Sequence, residues 1–177
     1  MKRFLFFALL LFTAGAWAQT AAPATPAPGC ASAESKQFDF WMGEWQLSWP
    51  ATQQGKRDAG VNRIVKKMDA CVIEENFDGG KANPLRGLSV STYNGRTKKW
   101  QQTWVDNYGA YLDFTGEFKD GQMVLWREAT NPKGEKILQR MVWKNIAADS
   151  LDWSWESSKD GGKTWQVNWP VHYVRKK

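Results

Sequence analysis

Phe38-Asp39-Phe40-Trp41-Met42-Gly43-Glu44-Trp45 is the stretch whose reading decides the fold. From Gly43 onward the chain alternates. Trp45, Leu47 and Trp49 fall on one side, Glu44, Gln46 and Ser48 on the other, until Pro50. A period of two with one apolar face marks a half-buried strand. Just upstream, Phe38, Trp41 and Met42 would share one side of a short helix over Gln37 to Met42. Such a helix is placed to plug the end of a barrel. Eleven of the twelve tryptophans lie beyond residue 40, nearly all in short alternating segments.

Working outward, the alternation recurs. Val61 to Lys67 reads as a second, more polar strand. Cys71, Ile73, Glu75 and Phe77 share a face of the third, and Leu88, Val90 and Thr92 lead the fourth to Asn94-Gly95. That pair predicts a two-residue type I′ turn, because both central residues then take positive φ. Trp100, Gln102 and Trp104 share a face of the fifth strand. Leu112, Phe114, Gly116 and Phe118 share one of the sixth. In the seventh, Val124 and Trp126 oppose Met123 and Leu125, so both faces could be covered. Ile137, Gln139, Met141 and Trp143 mark the eighth strand, and Leu151, Trp153 and Trp155 the ninth. Trp165, Val167, Trp169, Val171, Tyr173 and Arg175 mark the last. Strands so regularly spaced, with short turns and no long amphipathic helix, predict an all-β fold: an antiparallel up-and-down barrel of eight to ten strands with a short N-terminal helix. Closure removes the edges that an open sheet of this size would expose.

The N-terminus reads as a targeting segment. Lys2 and Arg3 precede an apolar run from Phe4 to Phe12, and Ala16-Trp17-Ala18 offers small residues for cleavage before Gln19. The expectation is a signal peptide over 1–18, a flexible Ala/Pro-rich linker over 19–35, and one barrel domain over 36–177. Loss of Lys2 and Arg3 takes the net charge from +6 to +4. The remaining basic residues are scattered, which argues against a nucleic-acid partner. No integral membrane segment is expected after cleavage. The protein is then periplasmic or secreted, as a monomer or weak dimer. In an oxidising compartment Cys30 and Cys71 are expected to form a disulfide.

Gly43-Glu44-Trp45 resembles the Gly-x-Trp start of the lipocalin-type (calycin) barrels. In those proteins the Trp at the barrel base packs against a basic side chain from a late strand. Arg175 is the matching candidate here, and cation–π attraction supplies the physical reason. The full octet is similar to the start of an uncharacterised family of exported bacterial proteins with lipocalin-like barrels. Trp100-Gln101-Gln102-Thr103-Trp104-Val105-Asp106 and the Gly-Gly-x-Thr-Trp turn near the C-terminus extend that resemblance over residues 37–176. It implies a fold, with Gly43, Trp45 and Arg175 in structural roles, and carries no reaction.

Ser158-Lys159-Asp160-Gly161-Gly162-Lys163-Thr164-Trp165 matches the Asp-box pattern of sialidase-type propellers. It occurs once, in a chain too short for a propeller. Asp160, Gly162 and Trp165 are therefore read as a structural hairpin device. His172, the only histidine, is a conceivable haem ligand, but alternation turns it away from Trp169 unless Pro170 introduces a bulge. No cofactor, metal site or catalytic residue is assigned. Glu74 and Glu75 point to opposite faces. Asp106 and Asp113 could meet across a hairpin. Arg127 or Arg140 could orient an acidic ligand head.

The expected function is binding of a small apolar or amphipathic molecule inside the barrel. Trp100, Gln102, Trp104 and Phe114 are the expected walls on one side, and Trp126, Gln139, Met141 and Trp143 on the other. One alternative is a barrel filled by its tryptophans, a structural or interaction module. Others are a lyase- or isomerase-like enzyme, a haem-binding barrel, and a sugar binder with exposed indoles. An interior below about 300 Å³ would count against ligand binding altogether and for the filled barrel. A buried carboxylate of raised pKa beside a cavity argues for the enzyme.

Overall fold

The structure is a computed structural model and describes residues 30–177. The expected signal peptide and the linker up to residue 29 lie outside the described residues. Ten strands follow in order: β1 Gly43–Pro50, β2 Arg57–Lys67, β3 Val72–Asp78, β4 Arg86–Asn94, β5 Lys99–Asp106, β6 Tyr111–Lys119, β7 Gln122–Thr130, β8 Lys136–Lys144, β9 Ser150–Ser158 and β10 Gln166–Arg175. Each pairs antiparallel with its sequence neighbours, and β1 closes on β10. This is the closed up-and-down, lipocalin-like barrel that the alternation predicts. Every ladder is filled, so no strand edge is left open.

Two 3-10 turns, Glu34–Lys36 and Asp39–Trp41, precede β1. The second supplies the plug. Phe38 and Trp41 are fully buried and meet Trp143 with ring centroids 5.0 and 5.2 Å away. The Trp45 indole donates to the Trp41 carbonyl at 2.8 Å, fixing the plug to the first strand.

Arg175 locks this end. Its guanidinium carbon lies 4.1 Å from the centroid of the Trp45 ring. It donates to the carbonyls of Met42 (2.5 Å), Phe40 (3.1 Å) and Ala148 (2.9 Å). Gly43 has φ +120°, and a Cβ there would sit 2.6 Å from Arg175 Nη1. The glycine of Gly-x-Trp is thus required twice, by its backbone angle and by the guanidinium lying over it.

Cys30 and Cys71 form the expected disulfide, with Cα atoms 4.8 Å apart. It ties the segment before the plug to the β2–β3 turn.

Three details differ from expectation. β2 begins at Arg57, four residues before the expected Val61. The Asn94-Gly95 turn is not type I′. Gly95 to Lys98 form a longer turn with Lys98 at φ 54°, and the Asn94 side chain accepts from the amides of Arg96 and Thr97. An Asx side chain that caps the turn amides removes the need for positive φ at Asn94. Finally, β10 carries a bulge: Val167 faces Glu156 and Trp169 faces Trp155, leaving Asn168 as the extra residue. Trp169, Val171, Tyr173 and Arg175 share the inner face as expected. Val167 instead faces outward, and the Trp165 ring lies against Arg140 on the outer side of β8.

Candidate functional site

The interior divides along the barrel axis. At the plugged base, Phe38, Trp41, Trp45, Trp100 and Trp143 pack without residual exposure of any consequence. Toward the other end lies a cavity of about 280 Å³. That volume falls just below the mark of about 300 Å³, which counts for the filled barrel and leaves room only for a molecule smaller than ordinary pocket ligands. The tryptophans therefore fill one half of the barrel and line the other.

The cavity walls are aromatic and aliphatic apart from Glu75 and Tyr173. Its aromatic rings meet at steep angles. Phe77 stands at 61° to Trp104 and 88° to Trp169, Trp153 at 87° to Trp169, and Phe114 at 82° to Trp155. Edge-to-face packing of this kind sets the rings against one another around the space. Gly87 makes room for one wall. A Cβ on Gly87 would lie 2.0 Å from the Trp104 ring, so the indole rests on bare backbone. Asp106 anchors the same ring by accepting from Trp104 Nε1 at 3.0 Å.

Glu75 is the polar group of this cavity and is 7% exposed. Asn62 Nδ2 donates to its Oε1 at 2.7 Å and Ser89 Oγ to its Oε2 at 2.6 Å. Asn62 Nδ2 also reaches the Tyr173 hydroxyl at 3.2 Å. Burial pushes the Glu75 carboxyl up to about 7, with the Ser89 and Asn62 hydrogen bonds opposing. Burial likewise raises the Tyr173 phenol, and the neighbouring Glu75 adds to the effect. Asn62 Oδ1 and Gln102 Oε1 are buried acceptors with no partner. Each is a site where a donor is owed.

Of the expected wall residues, Trp104, Phe114, Met141 and Trp143 line the cavity. Trp100 does not. Its ring packs on Phe38 at 5.0 Å and its Nε1 donates to Gln37 Oε1 at 3.2 Å, so it belongs to the filled base. Gln102 points inward as expected and donates to Ser91 Oγ at 2.8 Å, but it is not in the cavity wall. Gln139 shares the inner face nearer the mouth and accepts from Arg127 at 3.2 Å. Trp126 is a correction. It is 45% exposed on the outer face, because Met123 and Leu125 take the inner one.

Glu75, Phe77, Trp153, Trp155 and Trp169 are cavity residues absent from the expected set. Alternation places all five on inner faces; only the length of the hollow was missing.

Other expected groups resolve simply. Arg127 lies on the inner face at the mouth, 5.9 Å over Phe114. Arg140 lies outside, stacked on Trp165 at 3.9 Å and paired with Glu156 at 2.6 Å. Asp106 and Asp113 do not meet. Asp106 accepts from the Tyr108 and Ala110 amides of its turn, and Asp113 from Thr103 Oγ1.

His172 faces outward, as parity without a shift at Pro170 requires. Its Nδ1 lies 2.7 Å from Asp152, and it faces Ser48 in the neighbouring strand. Ser48 Oγ is held by Arg57 at 2.9 Å, and no hydrogen bond joins it to His172, so no triad is assembled. Outward orientation also removes His172 from any ligand inside the barrel. Among the described residues, no three His, Cys, Asp or Glu side chains gather as a metal site.

The Asp-box segment forms the hairpin expected of it. Asp160 accepts from the Thr164 amide and hydroxyl, Ser158 Oγ accepts from the Gly162 amide, and Trp165 Nε1 donates to the Gly162 carbonyl at 3.0 Å. Hydrogen bonds from Thr164 hold the Asp160 carboxyl far below the usual range.

No protein-family model matches the sequence, and no curated protein matches it.

Proposed function

We propose that this barrel is an exported binding protein for a small apolar or amphipathic molecule, held in the half of the interior away from the plug. One observation carries the reading. Inside the barrel an aromatic-walled space of about 280 Å³ is kept open, with a buried carboxyl in its wall. A barrel filled only for stability gains nothing by keeping that space hollow, since an empty cavity costs dispersion contacts. Nor does it gain by burying an acid there. Burial of apolar ligand surface, about 25 cal/mol per Å², supplies affinity, and the carboxyl supplies orientation. The disulfide supports an oxidising compartment. Among the described residues no helix is long and apolar enough to cross a membrane. The octet and C-terminal turn support kinship with exported lipocalin-like barrels.

Native mass spectrometry of the protein isolated from its own exported fraction tests this. The expected result is one reproducible small-molecule adduct that disappears in Val171→Phe, where a ring enters the cavity. Bare protein mass in both forms would remove the binding reading in favour of the filled barrel.

A second reading has its own observation. A carboxyl poised near neutrality beside a cavity is suited to move a proton, as an isomerase or lyase requires. In that reading Glu75 is the acid–base group. The bound molecule would then be recovered as two interconverting forms, and only as one form from Glu75→Gln.

A further inference from the structure

Two buried carboxylates in this protein are treated differently. Glu156, in the outer wall between β8 and β9, is matched by Arg140 at 2.6 Å and Lys144 at 4.0 Å. Glu75 has no cation within salt-bridge distance among the described residues. The groups that reach it are Asn62 from β2 and Ser89 from β4, with Tyr173 from β10 beside Asn62. Only Tyr173 among these titrates. Across the cavity from it stand apolar and aromatic side chains, none of them charged. Each Glu75 oxygen accepts one hydrogen bond, whereas an ionised carboxylate offers about four acceptor sites. A counter-charge and further donors are both missing from the same place.

Around that place stand Phe77, Trp104, Trp153 and Trp169, set at steep angles to one another. An aromatic ring that turns its face to a small space attracts a cation there through its quadrupole, most strongly where water is excluded. Resting on the binding function proposed above, we infer that the ligand is a small organic ammonium ion, with its cationic nitrogen against Glu75 and its apolar body inside the aromatic cage. Arg127 at the mouth fixes the direction. Its positive charge, occupied by Gln139 and Phe114, repels a cationic group left at the rim. The nitrogen therefore goes in first, and the trailing end is neutral or anionic.

The pH dependence follows from the same geometry. Below neutrality the carboxyl is protonated and offers a cation little. As pH rises through about 7 it ionises and the attraction appears. A bound ammonium ion in turn favours the ionised form.

The probes are benzylammonium, which stays protonated over the range used, its neutral isostere ethylbenzene, and the anion phenylacetate. Binding to the full mature protein is read by tryptophan fluorescence and calorimetry. Benzylammonium is expected to bind about tenfold or more tightly than ethylbenzene at alkaline pH, and to weaken by about tenfold as pH falls through neutrality. Glu75→Gln should bring benzylammonium down to the ethylbenzene level. Ethylbenzene or phenylacetate binding at least as tightly as benzylammonium, or benzylammonium affinity flat with pH, overturns the ammonium assignment while leaving the apolar site intact. Binding of none of the three removes both the assignment and the site. Should Glu75→Gln fail to fold, the pH series on the unmodified protein decides alone.

Discussion

Glu75 shows how one buried residue ties the stability of the barrel to pH near neutrality. Its carboxyl is raised above the ordinary 4.5 to about 7 by burial. The folded state therefore holds this proton more tightly than the unfolded chain. The contribution to stability is fully present below pH 4.5 and is lost as pH rises through about 7. By linkage the loss amounts to roughly 3 kcal/mol. Glu75→Gln mimics the protonated acid at every pH. Its thermal midpoint is expected to lie near that of the parent at pH 5 and above it at pH 8.5. A difference between the two proteins that does not change from pH 5 to 8.5 would contradict this account. Arg175 shows residue-scale logic of another kind, since the Phe40 and Met42 carbonyls and the Trp45 ring that hold it all adjoin the Gly-x-Trp step, while the Ala148 carbonyl reaches it from the β8–β9 turn. Arg175 was legible in the sequence through the resemblance of Gly43-Glu44-Trp45 to the lipocalin-type start, and its stack with Trp45 needs the first and last strands to be neighbours, as they are. Glu75 was legible as inward-facing by its place between Ile73 and Phe77. Its role was not, because Asn62, Ser89 and Tyr173 come from three other strands.

Among the elements, β4 and β5 form a wall of the cavity that a single methyl group would disturb. The Trp104 ring crosses Gly87 so closely that a Cβ would fall 2.0 Å from it. Gly87→Ala must displace the indole from Phe77 and weaken its bond to Asp106. Overpacking of this kind costs about 1–3 kcal/mol. The expected outcome is a lowered thermal midpoint together with a changed near-UV tryptophan signal and loss of affinity for any ligand of the cavity. An Ala variant that binds and melts as the parent does would place Trp104 elsewhere. Elements were the most readable scale, because a period of two runs through most of each strand. It fails where the count of residues changes. In β10 the extra Asn168 restarts the alternation, which is why Trp165 and Val167 leave the face shared by Trp169 and Tyr173. In β7 two apolar faces compete, and Trp126 loses to Met123 and Leu125 because its indole tolerates half-exposure. Nothing in one strand's pattern reports either outcome.

At the scale of the whole molecule, the barrel is a solid base joined to a hollow mouth, and the disulfide belongs to the base. Cys71 lies in the β2–β3 turn, at the end where the plug enters, and Cys30 precedes that plug by a few residues. Phe77, Trp104, Trp155 and Trp169 lie at the opposite ends of their strands. Loss of the bridge should therefore separate two properties that usually fall together. Closing a loop with 41 residues of separation restricts the unfolded chain by about 4 kcal/mol in the chain-entropy account. Cys30→Ser combined with Cys71→Ser is expected to lower unfolding free energy by roughly 2–4 kcal/mol in denaturant titrations. Plug residues Phe38 and Trp41 still have the Trp143 surface and the Trp45 bond to hold them, so the barrel stays closed. Ligand affinity at the mouth should then match the parent under conditions where both proteins are folded. A double variant that remains folded yet loses binding would mean that base and mouth are mechanically coupled, contrary to the division of the interior into a packed half and a hollow one.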